Sequence, residues 1–178
     1  MKLWTIQHRT AYDKLMKTGF LRADENHLFC EDDLRFAYDW MAEEMKKRIG
    51  NPPDKIQYPV WLWYQWEGCR KRPDMRSFGR RWAAKGTPIT LITAEIPDHK
   101  VLLSDFDMWH IVLNNAYLAL TEEEDEHPVL TKEKSWERIF DFSIDNEYWN
   151  LKGSRSIQAT VWEVVKEQVC KAEHFIAR

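Results

Sequence analysis

Glycine is scarce in this sequence, and its scarcity excludes several large enzyme classes. Six glycines are scattered over 178 residues, so no Gly-x-Gly-x-x-Gly turn and no Walker loop exists to hold a phosphate against backbone amides. A Gly-x-Ser-x-Gly elbow is also absent, which removes the common α/β-hydrolases. The sequence therefore fits none of the common Rossmann, P-loop or serine-hydrolase classes.

Cysteines and metal-binding motifs are equally sparse. The three cysteines are odd in number and widely spaced: Cys30, Cys69 and Cys170. This pattern predicts neither a disulfide framework nor a zinc knuckle. Asp105, Asp107 and His110 cluster at a predicted helix start, and carboxylates with a histidine can bind a divalent ion. Helix capping already accounts for the acids, so we predict no metal site.

Long apolar runs are missing as well. No stretch approaches the roughly 20 residues that a helix needs to cross a bilayer, and Met1–Gln7 lacks the apolar core of a secretory signal. Together with the unpaired cysteines, these features predict a cytoplasmic protein without a membrane span. With 44% apolar and 31% charged residues, the chain 1–178 is expected to form one globular domain.

Charge is unevenly distributed, although the net charge is only −3. Between Arg70 and Lys85, seven basic residues stand against one acid, Asp74, and every residue from 122 to 126 is acidic. Such segregation can mark a surface for a polyanion or a charged protein partner. A solvated helix face and a solvated acidic loop would show the same pattern, and both interpretations stay open.

Apolar periodicity predicts an α/β (α+β) fold with a mixed central sheet flanked by helices. The clearest helix is 33–49, which Gly50 ends. Two further helices are predicted to begin with capping boxes, Thr10-x-x-Asp13 and Ser104-x-x-Asp107. The other predicted elements are strands 3–7, 58–66, 88–96, 101–103, 157–164 and 171–176, a helix 131–140, and a short helix around Met75, Phe78 and Trp82.

Ten tryptophans are the most unusual feature of the composition. In the predicted strand 58–66, alternation places Trp61, Trp63 and Gln65 on one face. That face could stack a base or a nicotinamide ring, although a central strand that is apolar on both faces would look the same.

Three glutamines interrupt otherwise apolar strands: Gln7, Gln65 and Gln158. A buried amide costs free energy unless it is paired, so convergence of these side chains would indicate a polar site in the sheet. Each could instead point outwards from the sheet.

Five segments resemble a family of bacterial proteins described as domain of unknown function 3841. They are Leu3–Gln7, Tyr38–Met41, Tyr58–Trp61, Val101–Phe106 and Ile157–Glu163. The resemblance covers nearly the whole chain and implies no particular activity.

The order of a strand, a short helix and then Gly19–Leu21 is similar to the opening of the ADP-ribosyltransferase fold, especially its DNA-modifying branch. That resemblance implies an NAD site with a His or Arg on the first strand and a Glu near the last strands. Thr5 stands where the His would be, Gln7 where a threonine follows it, and Thr160 near the Glu. All three depart from the pattern, so transferase chemistry does not follow from it.

The leading hypothesis is a protein that binds a nucleotide-like or NAD-like ligand in a cleft, with arginines engaging phosphate. The residues expected to line the cleft are Thr5, Gln7, Arg22, Tyr38, Trp63 and Gln158. The first alternative is a non-enzymatic module that binds nucleic acid or protein through the basic segment 70–85. The second is a protein whose acidic segment from Glu122 engages a basic partner. The sequence assigns no catalytic residue and leaves open whether the protein is an enzyme.

Overall fold

The computed structural model describes residues 1–23, 34–53, 56–75, 83–145, 149 and 154–177. It confirms the α+β class, with helices packed on a central six-stranded sheet. None of the described helices is long and apolar enough to cross a membrane.

The secondary structure follows the predicted order of elements. The strands are β1 (Lys2–His8), β2 (Phe20–Leu21), β3 (Val60–Gln65), β4 (Pro88–Glu95), β5 (Leu102–Asp105), β6 (Ile157–Val161), β7 (Val164–Val165) and β8 (Val169–Ile176). The α-helices are α1 (Arg9–Thr18), α2 (Arg35–Ile49), α3 (Phe106–Leu113), α4 (Glu122–Glu126) and α5 (Lys132–Trp136). Short 3-10 helices span Asp98–Lys100, Glu137–Phe140 and Lys166–Gln168.

The central sheet has the strand order β5-β6-β3-β1-β4-β8, and each neighbouring pair is antiparallel. The sheet thus lacks the mixed strand directions that the sequence suggested. A strand that is apolar on both faces is typical of a parallel sheet, but helices cover both faces of this antiparallel sheet and produce the same pattern. Strands β2 and β7 form a separate antiparallel pair.

The two faces of the central sheet carry different side chains. Trp4 lies opposite Trp63, and Trp61 is two residues away, so the three share what we call the tryptophan face. On this face, Trp61 packs against a core cluster built from α2, α3 and α5. Leu3 belongs to the other side, the leucine face, where it shares a core cluster with Leu15 of α1.

Both predicted capping boxes are misplaced. Helix α1 begins one residue before Thr10 and has no side-chain cap. Helix α3 is capped by Asp105, which accepts hydrogen bonds from the amides of Asp107 and Met108, while Ser104 lies buried within β5. Strand pairing decides where these two helices begin. β1 and β5 stay paired up to the residue before each helix, and each helix starts where the strand ladder ends.

Three further expectations can be compared with the structure. The acidic segment is the short helix α4 rather than a loop, and Thr121 caps it by accepting a hydrogen bond from the Glu124 amide. The predicted helix 131–140 is present as α5 followed by a 3-10 turn. The predicted short helix after Met75 falls on 76–82, outside the described residues.

Candidate ligand-binding site

The tryptophan face carries three buried polar atoms that have no hydrogen-bond partner among the described residues: Trp61 Nε1, Gln158 Oε1 and Ser104 Oγ. Ser104 lies opposite Gln158, and Gln158 lies opposite Trp63. Residues opposite each other in an antiparallel pair share a face. Trp61 lies two residues from Trp63, opposite Thr160, and is on the same face. One donor, one acceptor and one hydroxyl therefore share this face on the neighbouring strands β3, β6 and β5.

Burial makes these three atoms costly. Ser104 is 0% exposed and Gln158 is 9% exposed. A buried polar group without a partner costs about 1–3 kcal/mol, and native proteins contain only a few such groups per hundred residues. Their grouping on one face is what a site for a polar partner would require.

A small hollow lies beside two of these three side chains, Trp61 and Gln158. Its lining residues are Thr5, Ile6, Trp61, Leu62, Trp63 and Gln158. Its volume of about 10 Å³ is enough for one water-sized group. The hollow lies between β1 and β3, whose ladder within the described chain consists of the single pair Trp4–Trp63. An incomplete strand ladder therefore creates the space.

Aromatic rings surround the polar atoms on the helix side. The ring centroids of Trp61 and Trp109 lie 4.9 Å apart, and the Tyr38 ring meets both edge-on at 6.0 and 5.9 Å. The ring centroids of Trp63 and Phe106 lie 5.0 Å apart. Burial raises the pKa of the Tyr38 hydroxyl, which keeps this side chain neutral. The surroundings are thus aromatic and uncharged, as a planar ring would need.

An ion pair lies at the end of β5, where α3 begins. Arg155 Nε lies 3.2 Å from Asp105 Oδ2, and both side chains are buried. The Arg155 guanidinium also donates to the carbonyls of Phe142, at 2.7 Å, and Ile144. Burial raises the pKa of Asp105, while the Met108 amide and Arg155 act in the opposite direction. Arg155 is thus committed to structural contacts rather than to a phosphate.

Thr5 and Gln7 belong to the leucine face. Alternation along β1 places both side chains on the face of the sheet that does not carry Trp4. The Thr5 hydroxyl donates to the Trp61 carbonyl at 3.0 Å and accepts from Gln7 Nε2 at 2.8 Å. Thr5 thus gives the Trp61 carbonyl a hydrogen-bond partner at the place where the β1–β3 ladder is short. The two glutamines, Gln7 and Gln158, therefore do not converge, because they lie on opposite faces of the sheet.

The other predicted site residues lie at different distances from the hollow. Trp63 and Gln158 line it, and Tyr38 contacts the ring of Trp61, which also lines it. Arg22 is not among the lining residues: its guanidinium binds the Glu163 carboxylate at 2.8 Å. The structure therefore groups Thr5, Trp63 and Gln158, brings Gln7 and Tyr38 into indirect contact, and places Arg22 elsewhere.

The described part of the basic segment 70–85 is partly occupied by internal contacts. The Arg70 guanidinium lies 3.6 Å from the centroid of the Tyr64 ring, and Arg72 pairs with Glu173 at 3.2 Å. Lys71 and Lys85 are exposed, and 76–82 lie outside the described residues. In the described ranges, no three His, Cys, Asp or Glu side chains are grouped so that they could hold a metal ion.

Comparison with protein families gives a direct result. The family model for Domain of unknown function (DUF3841) matches residues 2–128. The chain belongs to this family. The DUF3841 match includes Trp61, Trp63 and Ser104, whereas Gln158 lies beyond it. No curated protein and no solved structure matches this chain.

Two residues of the candidate site were not predicted as ligand-binding residues. Trp61 was assigned only to a possible stacking face, and Ser104 only to a helix cap. The signal that marked Gln158 also applied to Ser104, because both are polar residues in apolar strands. Ser104 was instead interpreted as a helix cap, because Ser104-x-x-Asp107 fits a capping box in the sequence alone.

Proposed function

We propose that the protein binds a nucleotide-like ligand, with NAD among the ligands to test, at the tryptophan face. The observation that carries this proposal is the group of three unpartnered buried atoms, Trp61 Nε1, Gln158 Oε1 and Ser104 Oγ. A planar ring or amide that offers both a donor and an acceptor would satisfy them together. The bound ligand would thereby recover the desolvation cost that these atoms carry in the free protein.

The aromatic surroundings support a ring-bearing ligand over a simple ion. Trp61, Trp63 and Trp109 lie around the polar atoms, and stacking of a base on such a ring contributes about 1–3 kcal/mol. The hollow of about 10 Å³ admits only one water-sized group. Binding of a ring therefore requires side chains to rotate, as is common at binding sites.

We propose binding rather than ADP-ribosyl transfer. The transferase resemblance calls for a His or Arg on the first strand and a Glu near the last strands. Thr5 donates its hydroxyl to the Trp61 carbonyl, and Glu163 is bound to Arg22. These contacts leave no described residue in position to stabilise an oxocarbenium charge beside the hollow.

A thermal-shift panel of NAD, mononucleotides and short nucleic acids tests the proposal. A ligand at a hundredfold excess over its dissociation constant stabilises the native state by about 2.7 kcal/mol. We expect a nucleotide to raise the melting temperature of the natural protein. Gln158→Leu should abolish that increase, whereas Gln57→Leu, at an exposed position, should preserve it. Equal ligand-induced shifts in both variants would overturn the proposal.

The same thermal-shift panel also tests the alternative function, binding through the basic segment 70–85. A nucleic acid that binds with steep salt dependence, as phosphate neutralisation predicts, and equally well to Gln158→Leu would favour the basic segment 70–85 as the binding surface. The cytoplasmic location belongs to our proposal as well. The exposed free cysteines, Cys69 and Cys170, suit a reducing compartment.

A further inference from the structure

The two edges of the central sheet differ in length and exposure. β5 has only four residues, three of them buried, and leads directly into α3. β8 has eight residues paired with β4, with one register shift between Thr93 and Ala94, and four of its residues are exposed. Among the described residues, β8 pairs only with β4. A long exposed edge presents backbone amides and carbonyls that can bind a further strand.

The sequence of β8 is complementary to itself in one antiparallel arrangement. Lys171 lies opposite Thr93, and Glu173 lies opposite Leu91, so both charges are on one face of the strand. If a two-fold axis passes through Ala172, Lys171 of each chain faces Glu173 of the other.

We propose that β8 pairs with β8 of a second copy of this chain, in antiparallel register centred on Ala172, to form a symmetric dimer with a continuous twelve-stranded sheet. The charge pattern carries the proposal. The neighbouring symmetric registers are unfavourable, because a centre at Lys171 opposes two lysines and a centre at Glu173 opposes two glutamates. A shift by one residue would place the tryptophan face of one copy on the same side of the joined sheet as the leucine face of the other.

The charges of β8 do not act as simple edge protection. A lone lysine discourages edge pairing because it meets its own kind in a self-paired strand. Here the Lys171 ammonium and the Glu173 carboxylate already lie 3.2 Å apart within one chain, at side-chain exposures of 63% and 22%. Arg72 also lies 3.2 Å from the Glu173 carboxylate. A second copy in the proposed register brings its Lys171 to each Glu173 and so joins the charged clusters of the two chains, which favours the contact.

Charge reversal tests the register. Sedimentation velocity over a concentration series should show a dimer of the natural protein. Lys171→Glu opposes like charges at two places, and we expect the dimer dissociation constant to rise about tenfold or more. The triple variant R72E/K171E/E173K restores opposite charges across the axis and keeps positions 72 and 173 oppositely charged, so dimerisation should return to within about threefold of the natural protein. Circular dichroism melts confirm that each variant is folded.

Cysteine cross-linking gives an independent measurement. In a chain with its native cysteines replaced by serine, Ala172→Cys places two sulfurs across the axis, where Cα atoms about 4.5–5.5 Å apart permit a disulfide. Ile176→Cys is the matched control, because its partner in the same register lies roughly 27 Å away at about 3.4 Å per residue. Rapid cross-linking of A172C alone supports the proposal. A monomer at the highest soluble concentration, or a dimer unaffected by K171E, overturns it.

Discussion

Ser104 and Gln158 lie directly opposite each other on β5 and β6, and neither Ser104 Oγ nor Gln158 Oε1 has a hydrogen-bond partner in the described chain. A hydroxyl and an amide oxygen this close in register could have satisfied each other. Because they do not, the folded protein carries a desolvation cost that a bound group can remove. Binding sites often hold such residues at the expense of stability.

Ser104→Ala should therefore leave the free protein as stable as before, or stabilise it by up to about 1 kcal/mol, while weakening nucleotide binding. Urea denaturation measures the first effect, and thermal shift with ligand measures the second.

Ser135→Ala is the matched control, since Ser135 is equally buried but its hydroxyl accepts from the Leu118 amide and donates to the Lys132 carbonyl. This variant should lose about 1–3 kcal/mol. If the Ser104 variant loses as much, Ser104 has a structural partner and the site argument fails.

Thr5→Val tests the hydroxyl that bridges β1 and β3. Valine keeps the shape but removes the donor to the Trp61 carbonyl and the acceptor for Gln7, so we expect a loss of about 1–3 kcal/mol in urea denaturation. Thr93→Val is the comparison, because Thr93 is also buried and its hydroxyl makes no hydrogen bond among the described residues. Similar losses in both variants would contradict the bridging role.

Glu124→Gln should remove a pH-dependent contribution to stability. Hydrogen bonding to Arg138 lowers the pKa of Glu124 to about 2. An acid with a lowered pKa stabilises the fold fully above its unfolded value near 4.5 and loses that contribution as pH falls towards 2. The stability difference between the natural protein and Glu124→Gln should thus be largest near neutral pH, about 1–3 kcal/mol, and shrink through this window.

The exposed neighbour Glu122 provides the control for this pH series. Glu122→Gln should change stability by less than about 0.5 kcal/mol at any pH. A constant difference for Glu124→Gln from neutral pH down to pH about 2 would show that the Arg138 pair does not control its ionisation.

Asp105→Ala should be among the most damaging single changes in the chain. It removes the cap of α3 and leaves the buried guanidinium of Arg155 without its counter-charge, so we expect a loss of about 3–5 kcal/mol. Asp105→Asn keeps a capping oxygen and should lose less. Asp107→Ala, at the exposed position once assigned to the capping box, should cost under about 1 kcal/mol. A larger loss of stability in chemical denaturation for Asp107→Ala than for Asp105→Asn would refute this assignment.

Local patterns in the sequence predicted the elements but not where they begin. The three- and four-residue repeat of α2 and the aromatic alternation of β3 are visible without tertiary information, and both elements are present. The cap at Asp105 was missed because pairing of β5 with β6 decides where the strand ends. By contrast, Thr121-x-x-Glu124 is a local signal for α4 that was available and overlooked.

The grouping of the predicted site residues also depends on tertiary contacts. Polar residues in apolar strands drew attention to Gln158, yet nothing local reveals which face a strand turns towards which helix. Gln7 and Gln158 were expected together, and strand register places them on opposite faces. Arg22 was assigned to phosphate, but its partner is Glu163, far along the chain. Contacts of this kind depend on topology rather than on spacing.

The position of β6 has a consequence for synthesis of the protein. β6 lies between β5 and β3, and β8 covers β4, yet both strands follow all the others in the chain. In a nascent polypeptide ending before residue 157, only β3, β1 and β4 of the central sheet can pair with one another, and β5 has no neighbouring strand. Folding on the ribosome must therefore wait until almost the entire chain has emerged, as expected for a topology rich in distant contacts. The matched segment 2–128, expressed alone, would be caught in that same unfinished state.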